Sequence, residues 1–163
     1  MPTQPDTLKI NLSFRKPEKL RHKKLVDALF SKGKNIYDFP LRLVWRKITP
    51  DELKASFRDK IPEKTGKLQM LVTIPKKKRR HAVDRVLLRR RIREAYRLNR
   101  LPLADVINNR EDIGTLSIAF IYLGTENISY SEIEKRMINL LSRLEKKISS
   151  KSEAAPAKSA EAE

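Results

Sequence analysis

Arginine and lysine side chains, which bind phosphate groups, are concentrated between residues 76 and 100. This segment, KKKRRHAVDRVLLRRRIREAYRLNR, holds twelve Lys or Arg residues and two acids, so it carries ten of the seventeen net positive charges of the chain. Like charges four residues apart destabilise an isolated helix, and two acids are too few to pair these cations. The segment is therefore predicted to bind a polyanion rather than to be an ordinary solvated helix face.

The arginines of this segment recur at helical spacing. At 100° per residue, Arg85, Arg89, Arg93 and Arg97 follow one another along one side of a helix, and Arg90 lies beside them. We call the first four the arginine row. The opposite side is apolar and is expected to pack on a sheet; its residues are Leu87, Leu88, Ile92, Ala95 and Leu98.

Arginine suits phosphate because its planar guanidinium group makes forked contacts with phosphate oxygens and can stack on bases. A basic loop, residues 76–80, precedes the helix and adds its charges to the positive helix end. Its members are Lys76, Lys77, Lys78, Arg79 and Arg80. Loop and helix together are predicted to bind an RNA backbone without reading base sequence. Arg91 projects from within the apolar arc, where it must extend to solvent, pair, or reach a second ligand.

Two other polyanion surfaces fit the sequence less well. A DNA-recognition helix would need a second helix a short turn upstream, and leucine heptads for a basic zipper are missing as well. A membrane-surface helix would need the apolar face that the core requires, and that face lacks bulky aromatic residues.

A protein catalytic centre is not predicted. The two histidines, His22 and His81, lie among lysines and arginines, where positive neighbours oppose protonation. A nuclease would be expected to cluster carboxylates for a metal ion or to pair two histidines, and the adjacent acids Asp51 and Glu52 have no partner at informative spacing. The absence of cysteine excludes thiol nucleophiles and thiolate metal sites. The prediction is binding, with no metal site in the protein.

Composition indicates one domain of modest size. The chain has 163 residues, of which 39% are hydrophobic, enough for one small core. No apolar run approaches the roughly 18 residues of a membrane span, and the N-terminus lacks the pattern of a secretory signal. We therefore expect a soluble cytoplasmic protein that does not bind membranes.

The predicted elements alternate between helix and strand. In order they are a helix opened by Pro17 and ended by a left-handed Gly33, strands at 39–47 and 68–74, the basic helix, a strand at 115–123, and a helix that follows a capping box at Ser129 and Glu132. Residues 48–67 are predicted to be an extended connection with one helical turn. Residues 1–13 form a flexible lead-in, residues 14–148 the domain, and residues 149–163 a disordered tail.

This order, helix-strand-strand-helix-strand-helix, predicts an α+β fold in which helices pack on a small sheet. The basic helix joins one strand to the next as a crossover, which indicates a parallel strand pair. The strand at 115–123 is expected to be central because it is almost continuously apolar.

Residues 82–100, AVDRVLLRRRIREAYRLNR, resemble the central signature of the protein subunit of bacterial ribonuclease P. The positions that match in place are Arg85, Arg89, Arg90, Arg93, Glu94, Ala95, Tyr96 and Arg97. LVDALFSKGKN (25–35) and YSEIEKRMINLLSRL (130–144) are similar to the family's first and last helices, so the resemblance covers residues 14–148. The chain differs at Val86 and Leu87, which replace a signature Asn and Arg, and at Arg79 and Arg80, which replace a turn of small residues.

The resemblance implies a small two-layer α+β sandwich, like that of some ribosomal proteins, with an unusual left-handed crossover. It also implies that a catalytic RNA subunit, with Mg²⁺, hydrolyses the bond that releases the 5′ leader of precursor tRNA. The protein would bind that RNA through the signature helix and the basic loop, with no obligate protein partner. The alternative from a different class is a structural RNA-binding protein of ribosomal type, which would share the charge and have no role in processing.

In this family, a cleft between the sheet and the first helix contacts the leader. The matching positions here are Val26 and Phe30 on the helix and Val44 or Trp45 on the strand. One of the family's two helix aromatics is replaced by Val26. Arg15 and Lys19 would flank the cleft with positive charge. Val26 and Val44 fit ordinary core packing equally well, whereas an exposed aromatic stacks on unpaired bases.

Overall fold

The computed structural model describes residues 18–56 and 66–149. Within these ranges, helices form where apolar residues recur three or four apart, and strands form at runs of β-branched apolar residues. The described elements in chain order are α1 (Lys23–Lys32), β1 (Lys34–Asp38), β2 (Leu41–Ile48), α2 (Pro50–Ser56), β3 (Leu68–Thr73), α3 (Ala82–Asn99), α4 (Leu101–Asn108), β4 (Thr115–Tyr122) and α5 (Tyr130–Ser149). The predicted α+β class is confirmed. The predictions for residues 1–13 and for the tail from residue 150 onward lie outside the described residues.

The four strands form one mixed sheet in the order β1-β2-β4-β3. β1 pairs with β2 and β2 with β4 in antiparallel fashion, whereas β3 and β4 are parallel. β4 is central and every one of its eight side chains is buried, as its continuous apolar character predicted. The predicted parallel pair is also confirmed, because β3 reaches β4 through α3 and α4. The hand of this crossover stays a prediction.

Both faces of the sheet carry helices. One face packs against α3, α4 and α5, and the predicted apolar stripe of α5 is buried along its whole length; its residues are Ile133, Met137, Leu140, Leu141, Leu144 and Ile148. One half of the predicted capping box is present, since the amide of Glu132 donates to the Ser129 hydroxyl at 3.3 Å, whereas the Glu132 carboxylate pairs with Arg136 at 3.5 Å. α1 and α2 cover part of the other face through Leu25, Leu29 and Leu53. The fold thus adds a partial layer to the two-layer arrangement predicted from the sequence.

The first helix begins later than predicted and ends differently. It starts at Lys23. Leu20, predicted to lie within the helix, precedes it in extended chain, and the Leu20 amide donates to the carbonyl of Met70 at 3.0 Å. Gly33 ends the helix as predicted but has φ −73°, so the predicted left-handed cap is wrong. Glycine is needed there for space, because a Cβ atom would lie 2.4 Å from the carbonyl oxygen of Leu29 and 2.7 Å from Cγ1 of Val44.

Two elements were absent from the sequence prediction. β1 was not predicted, and the strand expected at 39–47 begins only at Leu41, because the Phe39–Pro40 turn with its cis peptide bond separates β1 from β2. α4 was missed, although a proline in the first turn, Pro102, and apolar residues four apart, Leu103 and Ile107, are typical of a helix. The predicted helical turn after residue 48 is present as α2.

Candidate RNA-binding surface

α3 is fixed in the fold by a narrow apolar stripe. Leu88, Ile92, Ala95 and Tyr96 are buried, and the Tyr96 ring packs edge-on against Phe120 with the centroids 5.9 Å apart. Burial of the Tyr96 hydroxyl raises its pKa above the usual value, so this tyrosine stays neutral and structural. The stripe holds the remaining sides of α3 outward, toward solvent.

The buried stripe is rotated relative to the predicted one. Leu98, predicted to pack on the sheet, is 39% exposed, and Leu87 is only half-buried. Tyr96, which the prediction left out of the packing face, is fully buried and brings a large ring into the core. At 100° per residue, Arg85 lies between Ile92 and Tyr96 on the packed side, and Arg90 lies near the middle of the exposed side.

The two ends of the arginine row are engaged within the protein. Arg85 donates from Nη1 to the carbonyls of Arg79 at 2.9 Å and Arg80 at 2.7 Å. Arg97 forms an ion pair with Glu94, 2.6 Å from Nη2 to Oε2. The hydrogen bond from Arg97 lowers the pKa of the Glu94 carboxyl, and the same bond raises the pKa of Arg97.

Two further arginines brace the neighbouring loops. Arg79 pairs with Asp84 at 2.9 Å and also donates to the carbonyl of Thr125. Arg91 donates from Nη1 to the carbonyl of Ile128 at 2.5 Å, so of its three predicted fates the structure shows pairing within the protein. Both contacts tie α3 and the basic loop to the segment between β4 and α5.

A second group of cations has no such engagement. Among residues 18–56 and 66–149, the side chains of Lys76, Lys77, Lys78, Arg80, Arg89, Arg90 and Arg93 make no hydrogen bond or ion pair. We call these seven residues the unpaired cationic surface. They lie in the basic loop and on the outer side of the helix that follows it, and all except Arg89, which is half-buried, are exposed.

The charges on this surface repel one another. The pKa of the Arg93 guanidinium is lowered from its usual value, first by partial burial and then by the positive charge of Arg89 one turn away. Arginine nevertheless stays charged at any physiological pH. A phosphate that contacts both guanidinium groups would offset the repulsion between them, so the pair favours binding of an anion.

Half of the carboxylates of the described residues form ion pairs with cations. Glu52 pairs with Arg46, and Asp112 pairs with Arg110. No group of three or more His, Cys, Asp or Glu side chains in the described ranges is arranged to hold a metal ion. In the same ranges, no helix has the length and apolar character that crossing a bilayer requires.

The predicted cleft residues are placed on different sides of the sheet. Phe30 is 43% exposed on α1, Val26 is partly buried beside the α1 core, and Val44 is buried beneath α1. Trp45 points to the opposite face and joins the core with α3 and α5, so it cannot line a cleft next to α1. The alternation of side chains along a strand makes Val44 and Trp45 mutually exclusive choices; Val44 is the one on the α1 face, where it is part of the core.

The predicted flanking cations are only partly described. Lys19 is half-buried and forms a parallel bridge with Met70 at the outer edge of β3. Arg15 lies outside the described residues. The sequence prediction missed the neighbouring Glu18, whose carboxylate pairs with the buried Arg100 at 2.6 Å and fixes the chain just before α1 against the end of α3. A single acid among basic residues gives no periodic signal, so only the fold reveals that contact.

Comparison with known proteins gives a consistent result. A family model described as Ribonuclease P matches residues 14–145. The Ribonuclease P protein component of Porphyromonas gingivalis is 33% identical over 129 residues, which span 79% of this chain and 84% of the relative. The protein of the same name from Chlorobium phaeobacteroides is 33% identical over 115 residues, or 69% of this chain and 73% of the relative. The solved structure of the RNase P protein from Thermotoga maritima superposes with a TM-score of 0.53 at 19% identity, covering 77% of this chain and 96% of the other.

Proposed function

Because the chain belongs to the ribonuclease P protein family, we propose that it binds the catalytic RNA of that enzyme through α3 and the basic loop and the 5′ leader of precursor tRNA beside α1. The chain is the protein component of an endoribonuclease that processes tRNA. Family membership decides against a structural protein of ribosomal type. We expect the protein to act in the cytoplasm, with its RNA subunit.

The observation that carries the RNA-binding proposal is the unpaired cationic surface. From the start of α3 to Arg93 the helix rises about 16 Å at roughly 1.5 Å per residue, and the basic loop extends the surface beyond that start. Seven cations without a partner inside the protein repel one another and destabilise the folded state, so their concentration on one surface favours a polyanionic ligand. Arg79, Arg85 and Arg97 support this surface by positioning its loop and helix; each has a partner inside the protein.

Catalysis is assigned to the RNA subunit, and Mg²⁺ is proposed to act there. The carboxylates near α3, Asp84 and Glu94, each pair with an arginine, and both have a lowered pKa. They contribute to holding the helix and loop in place rather than to metal binding. The protein's contribution to Mg²⁺ dependence would be indirect, because neutralising phosphates allows the RNA to fold and bind its own ions at a lower concentration.

The leader-binding proposal depends on Phe30. Its ring is large, apolar and 43% exposed on α1, and an exposed aromatic ring offers stacking worth about 1–3 kcal/mol to an unpaired base. Val44 is buried under α1 and Val26 is partly buried beside it, so both support α1 from the core and Phe30 is the exposed contact. Lys19, and Arg15 beyond the described residues, would add positive charge along the leader.

The RNA-binding role is tested by reconstitution. The protein is mixed with the catalytic RNA from its own organism, and cleavage of precursor tRNA is measured over a range of Mg²⁺ concentrations. We expect the protein to restore cleavage at low Mg²⁺, where the RNA alone is inactive. No stimulation at any Mg²⁺ concentration would overturn the proposal.

The leader-binding role is tested by Phe30→Ala. Binding of the holoenzyme to precursor tRNA should weaken about tenfold, a conservative value for the loss of one stacked base, whereas binding to mature tRNA should not change. Ile138→Ala is the matched control, because Ile138 is a similarly exposed apolar residue, 49% accessible, on α5. Equal effects of the two substitutions, or equal effects on precursor and mature tRNA, would contradict a leader contact at Phe30.

A further inference from the structure

We infer that Tyr37 and Arg42 form an additional stacking position for an unpaired nucleotide of the leader, at the β1 edge of the sheet and on the face that carries α1. The inference rests on the proposed leader binding and extends it from Phe30 on α1 to residues at the edge of the sheet. Tyr37 is 56% exposed, which leaves much of its aromatic ring open to a ligand.

The strand register places both residues on the α1 face. Tyr37 is paired with Arg42, and two residues earlier on β1 Asn35 is paired with Val44. Val44 packs under α1 and directly beneath Gly33, so side chains of the same parity point to that face.

Arg42 is held beside the tyrosine with its charge available. Its guanidinium carbon lies 5.8 Å from the centroid of the Tyr37 ring, and its Nε donates to Oδ1 of Asn35 at 2.8 Å. Among the residues that the structure describes, no carboxylate forms an ion pair with Arg42. A base stacked on the ring would therefore have a cation next to it for its phosphate, the combination of aromatic surface and positive charge found in single-strand binding sites.

The edge strand is anchored, so the site is preformed. Arg143 on α5 donates to the backbone carbonyl of Tyr37 at 2.8 Å, and the Asp38 carboxylate accepts from Asn139 at 2.7 Å and from Arg136 at 3.4 Å. Asp38 is paired with Leu41, whose side chain lies in the core on the α5 side. The nearest acid thus points away from Tyr37 and is neutralised by Arg136 on the opposite face.

RNA is favoured over a second copy of the chain as the occupant. An edge strand can in principle pair with another edge, but β1 has five residues and begins with the exposed Lys34. Two copies of a chain with a net charge of +17 would also repel each other at this edge. A single exposed tyrosine with an adjacent arginine fits one base and its phosphate.

The test compares precursor tRNAs with no leader, a short leader and a long single-stranded leader, bound to the holoenzyme. Tyr37→Ala should weaken binding of the long-leader substrate about tenfold, with a smaller loss for the short leader and none for the leaderless RNA. Tyr37→Phe should retain binding, because the ring remains. Tyr37→Leu keeps apolar area without the aromatic face and should behave like the alanine variant; it also serves if the alanine variant is unstable. Arg42→Gln should reduce affinity and its salt dependence.

Phe30→Ala in the same assay separates the two proposals. If Phe30→Ala weakens leader binding and Tyr37→Ala does not, the inference is wrong and the leader cleft stands. If neither substitution has an effect, leader binding beside α1 fails as well. A loss with Tyr37→Ala that is equal for leaderless RNA, or a concentration-dependent dimer that the substitution abolishes in sedimentation, would assign Tyr37 to another contact and overturn the inference.

Discussion

Replacing Arg89 and Arg93 together by alanine should weaken binding to the catalytic RNA and leave the fold intact. Both side chains belong to the unpaired cationic surface, so their removal breaks no hydrogen bond or ion pair among the described residues. Each is also a positive neighbour of the other, and that proximity contributes to the lowered pKa of Arg93. The double substitution therefore removes a repulsion from the free protein.

The size of the effect follows from the two phosphate interactions that the variant can no longer make. A hydrogen bond to a charged group contributes about 1.5 kcal/mol or more, so two such interactions amount to about 3 kcal/mol, or roughly 100-fold in affinity. The slope of log affinity against log salt should fall by about 1.4 to 1.8, for two neutralised phosphates. Arginine and alanine have similar helix propensities, and surface substitutions of this kind change stability by about 0.5 kcal/mol or less. For a chain of this size, that corresponds to a shift of about 2 °C in Tm at most.

The assay is a salt titration of binding to the catalytic RNA, together with a thermal melt of the free protein. Lys54→Ala plus Lys146→Ala is the matched control, since it removes the same charge from exposed positions on α2 and α5. If affinity depended only on the net charge of the protein, the two double variants would bind the catalytic RNA equally well. Affinity that falls no further than in the control would refute a specific RNA contact at α3, and a melt lowered by many degrees would mean that the two arginines are structural.

Three further substitutions test other contacts. Arg91→Ala removes the hydrogen bond to the loop before α5 and should lower Tm by about 2–4 °C, the equivalent of about 1 kcal/mol, with little effect on RNA affinity in a binding titration; an unchanged melt would contradict the brace. Gly33→Ala introduces a Cβ atom 2.4 Å from a backbone carbonyl of α1 and should destabilise the protein by about 1–3 kcal/mol in denaturant unfolding, whereas unaltered stability would show that the chain gives way there. The pKa of Asp84 is lowered by the hydrogen bond from Asn127 and the charge of Arg79, so its stabilisation is present above the usual carboxyl pKa and is lost as pH falls through the lowered value. Asp84→Asn should therefore reduce the fall in Tm between about pH 5 and pH 3, and parallel pH profiles for the two proteins would exclude this carboxyl as a contributor.

The sequence by itself determined the parts of this protein that depend on local pattern. Apolar periodicity is set by residues within one element, so it predicted the stripe of α5, and the apolar run at 115–123 predicted the buried central strand. The charge density of residues 76–100 predicted a polyanionic partner whatever the fold, because so few acids lie nearby in the sequence. The segment 82–100 also carried the family resemblance that comparison with known proteins confirmed.

Only the tertiary structure decided which cations are free to bind. The arginine row looks uniform at helical spacing, yet Arg85 donates to backbone carbonyls of the preceding loop, a contact that periodicity does not predict. Arg97 pairs with Glu94 three residues earlier, a neighbour that helical spacing does allow. Tyr96 is buried and Leu98 is exposed, so the packed face of α3 differs from the apolar arc that periodicity predicted. Sheet parity likewise placed Trp45 in the core on the far side from α1, since adjacent residues on a strand face opposite ways. Side-chain partners and the two faces of a sheet are properties of the folded chain. Only the structure therefore distinguishes the arginines that hold the helix and loop in place from those left open to a ligand.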